Sequence, residues 1–377
     1  MASHPVLLCL LLLVPPLAAA QQMLSFSAND TAWRPADSNR TLVSSGGDFA
    51  AGFVPAASAP GSYRFAVWVV GANPTDRAVI CTVWSPVLAA NSSVSTAVLR
   101  LNDTGSLVYG AAWSSFDEPT DTLMAEQAIP NGGNGATLQS ANGRYRLVGS
   151  ATLQFNNSLM YANISGGSTL LNLTADGTLL LSGGNQLIAS DQGSKKRVRR
   201  LTLDDDGNLR LYSLLPKNRH RNVVWQLVQE LCTIPGTCAA GRICVPVGAD
   251  SISCVCPPGY RNATTDDVCA PKQNYSGRGD DYKFVRMDFV SFGGAPNAAS
   301  DQGPLMQKLS PQNLADCEKA CRQDAECVAF GYKFGGDRTC LQYTALVDGY
   351  WSPATEMSTY LRVVSSDNDS NPFTGMT

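Results

Sequence analysis

The stretch Leu201–Tyr212 constrains this chain more than any other. It reads Leu-Thr-Leu-Asp-Asp-Asp-Gly-Asn-Leu-Arg-Leu-Tyr, with leucines alternating with polar residues on either side of a turn. Alternate residues of a strand face opposite ways, so Leu201 with Leu203, and Leu209 with Leu211, line one face each. Putting both pairs on the same face sets the register. A three-residue loop, Asp205-Asp206-Gly207, then places Leu203 opposite Leu209 and Leu201 opposite Leu211. Loops of this length end in a left-handed residue, which glycine supplies without steric cost. The polar face carries Asp204, Asn208, Arg210 and Tyr212.

The spacing recurs twice. Leu101 and Leu107 flank a loop ending in Gly105, with Leu99 and Tyr109 as the outer pair. Leu173 and Leu179 flank one ending in Gly177, with Leu171 and Leu181 outside. Hairpins repeated in one register predict a mainly β fold built from repeated units.

Length and composition narrow the class. A chain of 377 residues suggests two to four domains, and a net charge of −3 with 16 % charged residues gives no footprint for nucleic acid. Met1–Ala20 holds an apolar run closed by small residues, the layout of a secretory signal peptide. No later stretch has the length of a membrane span, and the polar Ser365–Thr377 lacks the apolar tail of a lipid-anchor signal. A secreted protein, extracellular or in the cell wall, is the expectation. Sequons at Asn29, Asn39, Asn91, Asn102, Asn156, Asn163, Asn172, Asn262, Asn274 and Asn368 agree with a glycoprotein. Cys81 stands apart in the strand-like Val79–Trp84, as a buried thiol or the bridge of a dimer. Apart from His4 in the expected signal peptide, His220 is the one histidine. It sits in a polar, basic connection, so triads, histidine acid–base chemistry and catalytic zinc lack their residues. No enzyme, metal or cofactor is expected.

From Gln21 onward, strand-like runs alternate with Gly, Pro, Asn and Ser. Tryptophans close several of them, at Trp68, Trp84, Trp113 and Trp225, and read as core aromatics. The order Gly47-Asp48-Phe49-Ala50-Ala51-Gly52-Phe53, Val83-Trp84, Leu101–Tyr109 and Ser115-Phe116-Asp117-Glu118-Pro119-Thr120-Asp121-Thr122-Leu123 resembles bulb-type lectin domains. The last motif closely resembles the signature of plant S-locus glycoproteins, S-domain receptor-like kinases and their secreted relatives of the epidermis-specific type. The resemblance implies two β-prism domains, 21–127 and 128–231, each of three small antiparallel sheets. Lys195-Lys196-Arg197-Val198-Arg199-Arg200 reads as a solvated strand edge, a patch for acidic polysaccharide, or a processing site.

Cys232, Cys238, Cys244, Cys254, Cys256 and Cys269, followed in part by Pro257-Pro258-Gly259-Tyr260, resemble an EGF-like module over 232–270. That likeness implies Cys232–Cys244, Cys238–Cys254 and Cys256–Cys269; spacing alone allows fifteen pairings. The module lacks the acidic run that calcium binding would need. After a linker around Tyr275–Tyr282, the segment 280–364 resembles a PAN/apple domain. Ser310-Pro311 is a good helix start, and Cys317 and Cys321 lie on one helix face. The likeness implies Cys317–Cys340 and Cys321–Cys327; zinc is the rival, a poor one in an exported chain. Residues 365–377 read as a polar tail.

Mannose-binding bulb lectins use Gln-x-Asp-x-Asn-x-Val-x-Tyr, in which polar side chains satisfy sugar hydroxyls and valine packs the ring carbons. Carried onto Leu201–Tyr212, the pattern gives Asp204 for Gln, Asp206 for Asp, Asn208 for Asn, Arg210 for Val and Tyr212 for Tyr. Asp204 lacks the donor that Gln has, and Arg210 replaces an apolar contact or forms a structural ion pair with Asp204 or Asp206. The first hairpin (Asn102, Thr104, Ser106, Val108, Gly110) keeps only the valine, and a glycan on Asn102 would obstruct it. The second (Thr174, Asp176, Thr178, Leu180, Ser182) keeps only the aspartate. Two functions follow as expectations: non-enzymatic binding of extracellular or cell-wall glycans at Asp204, Asp206, Asn208 and Tyr212, or a scaffold that binds a secreted or receptor protein or peptide.

Overall fold

The inner leucine pair of each hairpin closes in the register its spacing dictates, which turns Leu101, Leu107, Leu173, Leu179, Leu203 and Leu209 inward. Leu101 faces Leu107 and Leu99 faces Tyr109; Leu173 faces Leu179; Leu203 faces Leu209 and Leu201 faces Leu211. Gly105, Gly177 and Gly207 take the left-handed conformation, at φ 88°, 98° and 84°. One outer pair differs from expectation. A bulge lies between Leu170 and Asn172, so Leu170, not Leu171, faces Leu181. A bulge adds one residue to one strand, which a count of alternation cannot detect.

This computed structural model describes residues 21–23, 25–27, 40–55, 63–70, 98–109, 113–117, 121–127, 136–149, 152–164, 170–215, 221–248, 251–263, 268–272, 281–293, 306–309, 313–336 and 338–373. The signal-peptide reading, Val79–Trp84 with Cys81, His220 and the sequons at Asn29, Asn39, Asn91 and Asn274 lie outside the described residues. The chain divides into two compact units, Met1–Glu118 with Pro216–Arg219, and Pro119–Leu215 with His220–Thr377.

In the first unit, Gln21–Met23 pairs in parallel with Arg40–Val43, which continues through Phe49–Pro55 to Tyr63–Val69. A second sheet runs Ser25–Ser27, Val98–Leu101, Leu107–Tyr109, Trp113–Ser114.

The second unit opens with three sheets. Ala136–Gln139, Tyr145–Val148, Thr152–Phe155 and Leu159–Asn163 form one; Leu170–Leu173, Thr178–Leu181 and Gln186–Ile188 form another. The third is ordered Arg221–Gln226, Leu209–Leu214, Val198–Leu203, Thr122–Met124. All three send side chains into one core, Leu138 and Leu147 from the first, Leu173 and Leu179 from the second, Leu201 and Leu211 from the third. Each fully buried leucine stabilises by about 2 kcal/mol. Thr122–Met124, which a boundary at 127/128 would give to the first domain, pairs with Arg200–Thr202 and sends Leu123 into this core. The strand that follows the Ser-Phe-Asp motif therefore belongs with the second set of sheets.

Disulfides join Cys232–Cys244, Cys238–Cys254, Cys256–Cys269, Cys317–Cys340 and Cys321–Cys327, with Cα separations of 5.4 to 5.8 Å. The two cysteine-rich segments share a sheet, ordered Ser251–Val255, Ile243–Gly248, Gly349–Trp351, Val290–Ser291. Ile243 lies beside Gly349 and Cys244 beside Tyr350 in parallel pairing. A five-stranded sheet follows: Tyr282–Asp288, Met357–Val364, Ala329–Lys333, Thr339–Tyr343, Met306–Leu309. The helix Leu314–Gln323 packs on it through Cys317 and Cys321, against Phe330 and Tyr332. It begins later than Ser310-Pro311 suggests. Asn313 is the cap, its Oδ1 accepting from the Asp316 N–H at 3.0 Å, and Asp316 puts a negative charge in the first turn.

The expected polar tail is a docked strap. Phe373 is 1 % exposed and joins a core with Met287, Val290 and Phe292, while its carbonyl accepts from the Asp288 N–H at 3.0 Å. Asp369 accepts from the Gly259 N–H at 2.9 Å and pairs with Lys272. Asn371 donates to the Arg286 carbonyl. One aromatic anchor and these polar links hold a segment whose average composition reads as solvated. Among the described residues, no helix is long and apolar enough to cross a membrane.

Candidate functional site

The outward side of the third hairpin is built around Arg210. Asp204 precedes the turn, Asp206 lies in it, and Arg210 and Tyr212 follow on the same side of the returning strand. Arg210 Nη1 donates to Asp204 Oδ2 at 2.7 Å and to Asp206 Oδ1 at 2.9 Å, while Nη2 reaches Asp206 Oδ2 at 2.7 Å. Its planar fork grips Asp206 with two bonds, the strong geometry for a guanidinium and a carboxylate. Tyr212 donates its hydroxyl to Asp204 Oδ2 at 2.6 Å.

Electrostatics follow the geometry. Burial alone would lower the Arg210 pKa, but the carboxylates of Asp206 and Asp204 outweigh it and hold the guanidinium charged. Burial pushes Asp204 above the usual carboxylate range against the opposing bonds from Tyr212 and Arg210. Burial, then the charge of Asp204, raises Tyr212 well above a free phenol. Arg200 and Arg221 also stand over the Tyr212 ring, at 5.3 and 4.7 Å from its centroid.

Asn208 faces inward. It is fully buried, and its side-chain amide makes a two-way pair with Val228: Nδ2 to the Val228 carbonyl at 2.8 Å, and the Val228 N–H to Oδ1 at 3.0 Å. The residue fastens the segment after Arg221–Gln226 to the turn. Of the expected sugar-contacting residues, Asp204 and Asp206 thus meet at Arg210, Tyr212 joins through Asp204, and the Asn208 side chain points away from them into the protein. Asp206, with 44 % of its side chain exposed against 21 % for Asp204, is the more solvent-exposed carboxylate. The cluster offers a ligand chiefly one shared acceptor, the Asp206 carboxylate.

The other two hairpins use their polar groups differently. In the first, Ser106 Oγ lies 2.9 Å from Ser114 Oγ, and Asn102 and Thr104 are exposed. In the second, Thr174 donates to the Asp176 carboxylate and Gln192 donates to Thr178 Oγ1 at 2.8 Å. The bond from Thr174 draws the Asp176 pKa down. The basic run nearby is divided: Lys195 and Lys196 are exposed and Arg197 is half-buried, while the last two arginines turn inward. Arg199 is 1 % exposed and donates to the carbonyls of Ala175 and Asp191 at 2.6 and 3.0 Å; Arg200 is buried as well.

A feature that the hairpin pattern did not signal is a clasp between turns. In the second unit the Asn142 N–H donates to Asp205 Oδ1 at 2.7 Å, and in the first the Gly46 N–H donates to Asp103 Oδ1 at 2.6 Å. The partner turns, Ser44 to Phe49 and Ser140 to Tyr145, share Ser-x-x-Gly-x-aromatic. Ser44 and Ser140 both use Oγ to accept from the aromatic residue's N–H, at 3.1 Å each. Matching these two stretches would have revealed the longer repeat.

No protein-family model matches the chain. It is 26 % identical over 387 residues to the G-type lectin S-receptor-like serine/threonine-protein kinase SD3-1 of Arabidopsis thaliana, an alignment covering 86 % of this chain and 49 % of that protein. It is 30 % identical over 292 residues to the putative receptor protein kinase ZmPK1 of Zea mays, covering 68 % of this chain and 34 % of that protein. The chain therefore spans about half, or less, of the length of these curated relatives, and it resembles the S-domain ectodomain of such kinases. Among solved structures, the Japanese Marasmius oreades lectin overlaps with a TM-score of 0.24 at 20 % identity, covering 29 % of this chain and 91 % of that one, too slight an overlap to define the fold.

Proposed function

We propose that this chain is a non-enzymatic, extracellular recognition scaffold of the S-domain type, whose lectin hairpins build the fold while a protein or peptide is the ligand. The observation that carries this reading is Arg210. It occupies the valine position of the mannose pattern, neutralises Asp204 and Asp206, and takes up the acceptors that a sugar hydroxyl would need. Asn208 and Tyr212 are 0 % and 4 % exposed, each already bonded within the chain. A mannoside would have to displace a charge-assisted network, which costs more than the neutral hydrogen bonds it offers in return.

Glycan binding is the second reading, favoured by the exposure of Asp206 at the turn. A glycan array with the purified chain, repeated with Asp206→Ala, separates the two. No mannoside signal, together with a cross-linked partner among extracellular proteins, supports the scaffold. Mannoside binding that disappears in Asp206→Ala overturns it. Asn208→Ala and Tyr212→Ala would be poor probes, because both remove internal bonds as well.

A further inference from the structure

The outer face of the sheet formed by Leu170–Leu173, Thr178–Leu181 and Gln186–Ile188 is unusual in this chain. Leu179, Leu181 and Leu173 point into the core, so Leu180 and Asn172 point out. Leu180 is 37 % exposed, and Ile188, facing Thr178 on the next strand, is 49 % exposed. Leu180 and Ile188 are diagonal neighbours on that face, close enough for long side chains to touch. Together they form a small apolar patch on this face.

Asn172 sits directly across from Leu180 and opens the sequon Asn172-Leu173-Thr174. The residue is half-buried, and its amide oxygen is buried without a hydrogen-bond partner. The other described sequons have different neighbours. Asn102 and Asn156 lie at exposed turns, Asn163 ends an edge strand across from Thr152, Asn368 lies on the docked strap, and Asn262 uses its Oδ1 to accept from Arg242. Asn172 lies on the edge strand of its sheet, the place where an unprotected strand invites pairing with another chain.

We infer that Asn172 carries an N-linked oligosaccharide whose first sugars lie over Leu180 and Ile188, so that the chain's own glycan covers this sheet face and blunts its edge. The modification is ordinary substitution at carbon. Asn172 Nδ2 attacks the anomeric carbon of a diphosphate-activated oligosaccharide; a C–N bond forms, the C–O bond breaks with its electron pair leaving on the diphosphate, and the amide loses one proton. Adjacent strands are about 4.8 Å apart, so the acetamido sugar attached at Asn172 lies within contact of Leu180. Its C–H face and acetyl methyl meet the aliphatic side chains, and its hydroxyls meet water. The face of the second hairpin is then covered by an attached sugar.

The inference rests on the extracellular reading above. The test uses the full chain secreted from a eukaryotic host, with glycosylated positions mapped by peptide N-glycosidase release in heavy-oxygen water. Asn172 is expected to be converted to labelled aspartate in most molecules. Asn172→Gln is expected to raise the fluorescence of an apolar-surface dye about twofold. Adding Leu180→Ser and Ile188→Ser to that variant is expected to return it to the wild-type value, and Asn163→Gln alone to leave it unchanged. Asn172 unmodified while Asn163 or Asn368 carries sugar overturns the inference and leaves the extracellular reading standing. Occupied Asn172 with unchanged dye binding in Asn172→Gln overturns the covering role. A secreted chain with no sugar at any sequon overturns the inference alone, whereas a chain that the host retains inside the cell overturns the extracellular reading.

Discussion

The two units build the same clasp with different aromatics. In the first, Gly105 lies on Phe49, where a Cβ would come within 2.8 Å of the ring. In the second, Gly207 lies on Tyr145, where a Cβ would come within 2.5 Å of the ring and 2.8 Å of Ile234. Phenylalanine ends there. Tyrosine adds one oxygen, and that oxygen donates to the Pro235 carbonyl at 2.9 Å. Pro235 lies between Cys232 and Cys238, so the hydroxyl links the leucine core to the first disulfides. Arg144 reinforces the link by donating to the Gly236 carbonyl at 3.2 Å, and Asn142 Nδ2 adds a second bond to the opposite turn, to the Asp205 carbonyl at 2.8 Å. A packing device common to both units has become an attachment in one of them.

The comparison breaks most visibly at the glycines. Gly207→Ala forces a side chain into a left-handed residue and into two neighbours; it is expected to cost about 3 kcal/mol, against about 2 for Gly105→Ala, by denaturant unfolding. Equal costs would mean that the closer packing of the second clasp is not felt. Next comes the fifth residue of each turn. Asn208→Ala removes both bonds to the half-buried Val228 backbone and is expected to cost about 2 kcal/mol, whereas Ser106→Ala, at the matching position, loses about 1. Thermal unfolding of the pair reads the difference directly.

Tyr145→Phe converts the second clasp into the first. The loss of the bond to Pro235 is expected to lower stability by about 1 kcal/mol and to speed proteolysis near Cys232–Cys238. An unchanged digestion pattern would show that Arg144 alone keeps the attachment. The smallest effect is on alkaline titration. Burial pushes the Tyr145 phenol from 10.0 up to about 12. A folded pKa above the unfolded one means a contribution that is complete below pH 10 and is lost as pH rises through about 12. Tyr145→Phe should therefore flatten part of the stability loss in that window, seen as a shallower slope of unfolding free energy against pH.

What could be read from residues alone follows from locality. Strand alternation and a glycine turn are short-range constraints, so Leu203 opposite Leu209 and Leu101 opposite Leu107 were legible before any coordinates. The five disulfides came through likeness, and the structure has the same pairs. Long-range substitutions of role were hidden. Arg199 and Arg200 look like surface charge until Asp191 and the Ala175 carbonyl are seen to receive Arg199. At the candidate site the residue types were legible, but the direction of Asn208 was not, because only the distant Val228 determines it. Leu170 displaced Leu171 through a bulge, and one phenylalanine, Phe373, outweighed the polar character of the residues before it.

That last segment sets how tension would travel. Its links touch Gly259 and Lys272 on one side and Arg286 and Asp288 on the other, so a pull on residue 373 would load the two cysteine-rich segments together. Neither could be peeled away singly while Phe373 stays seated.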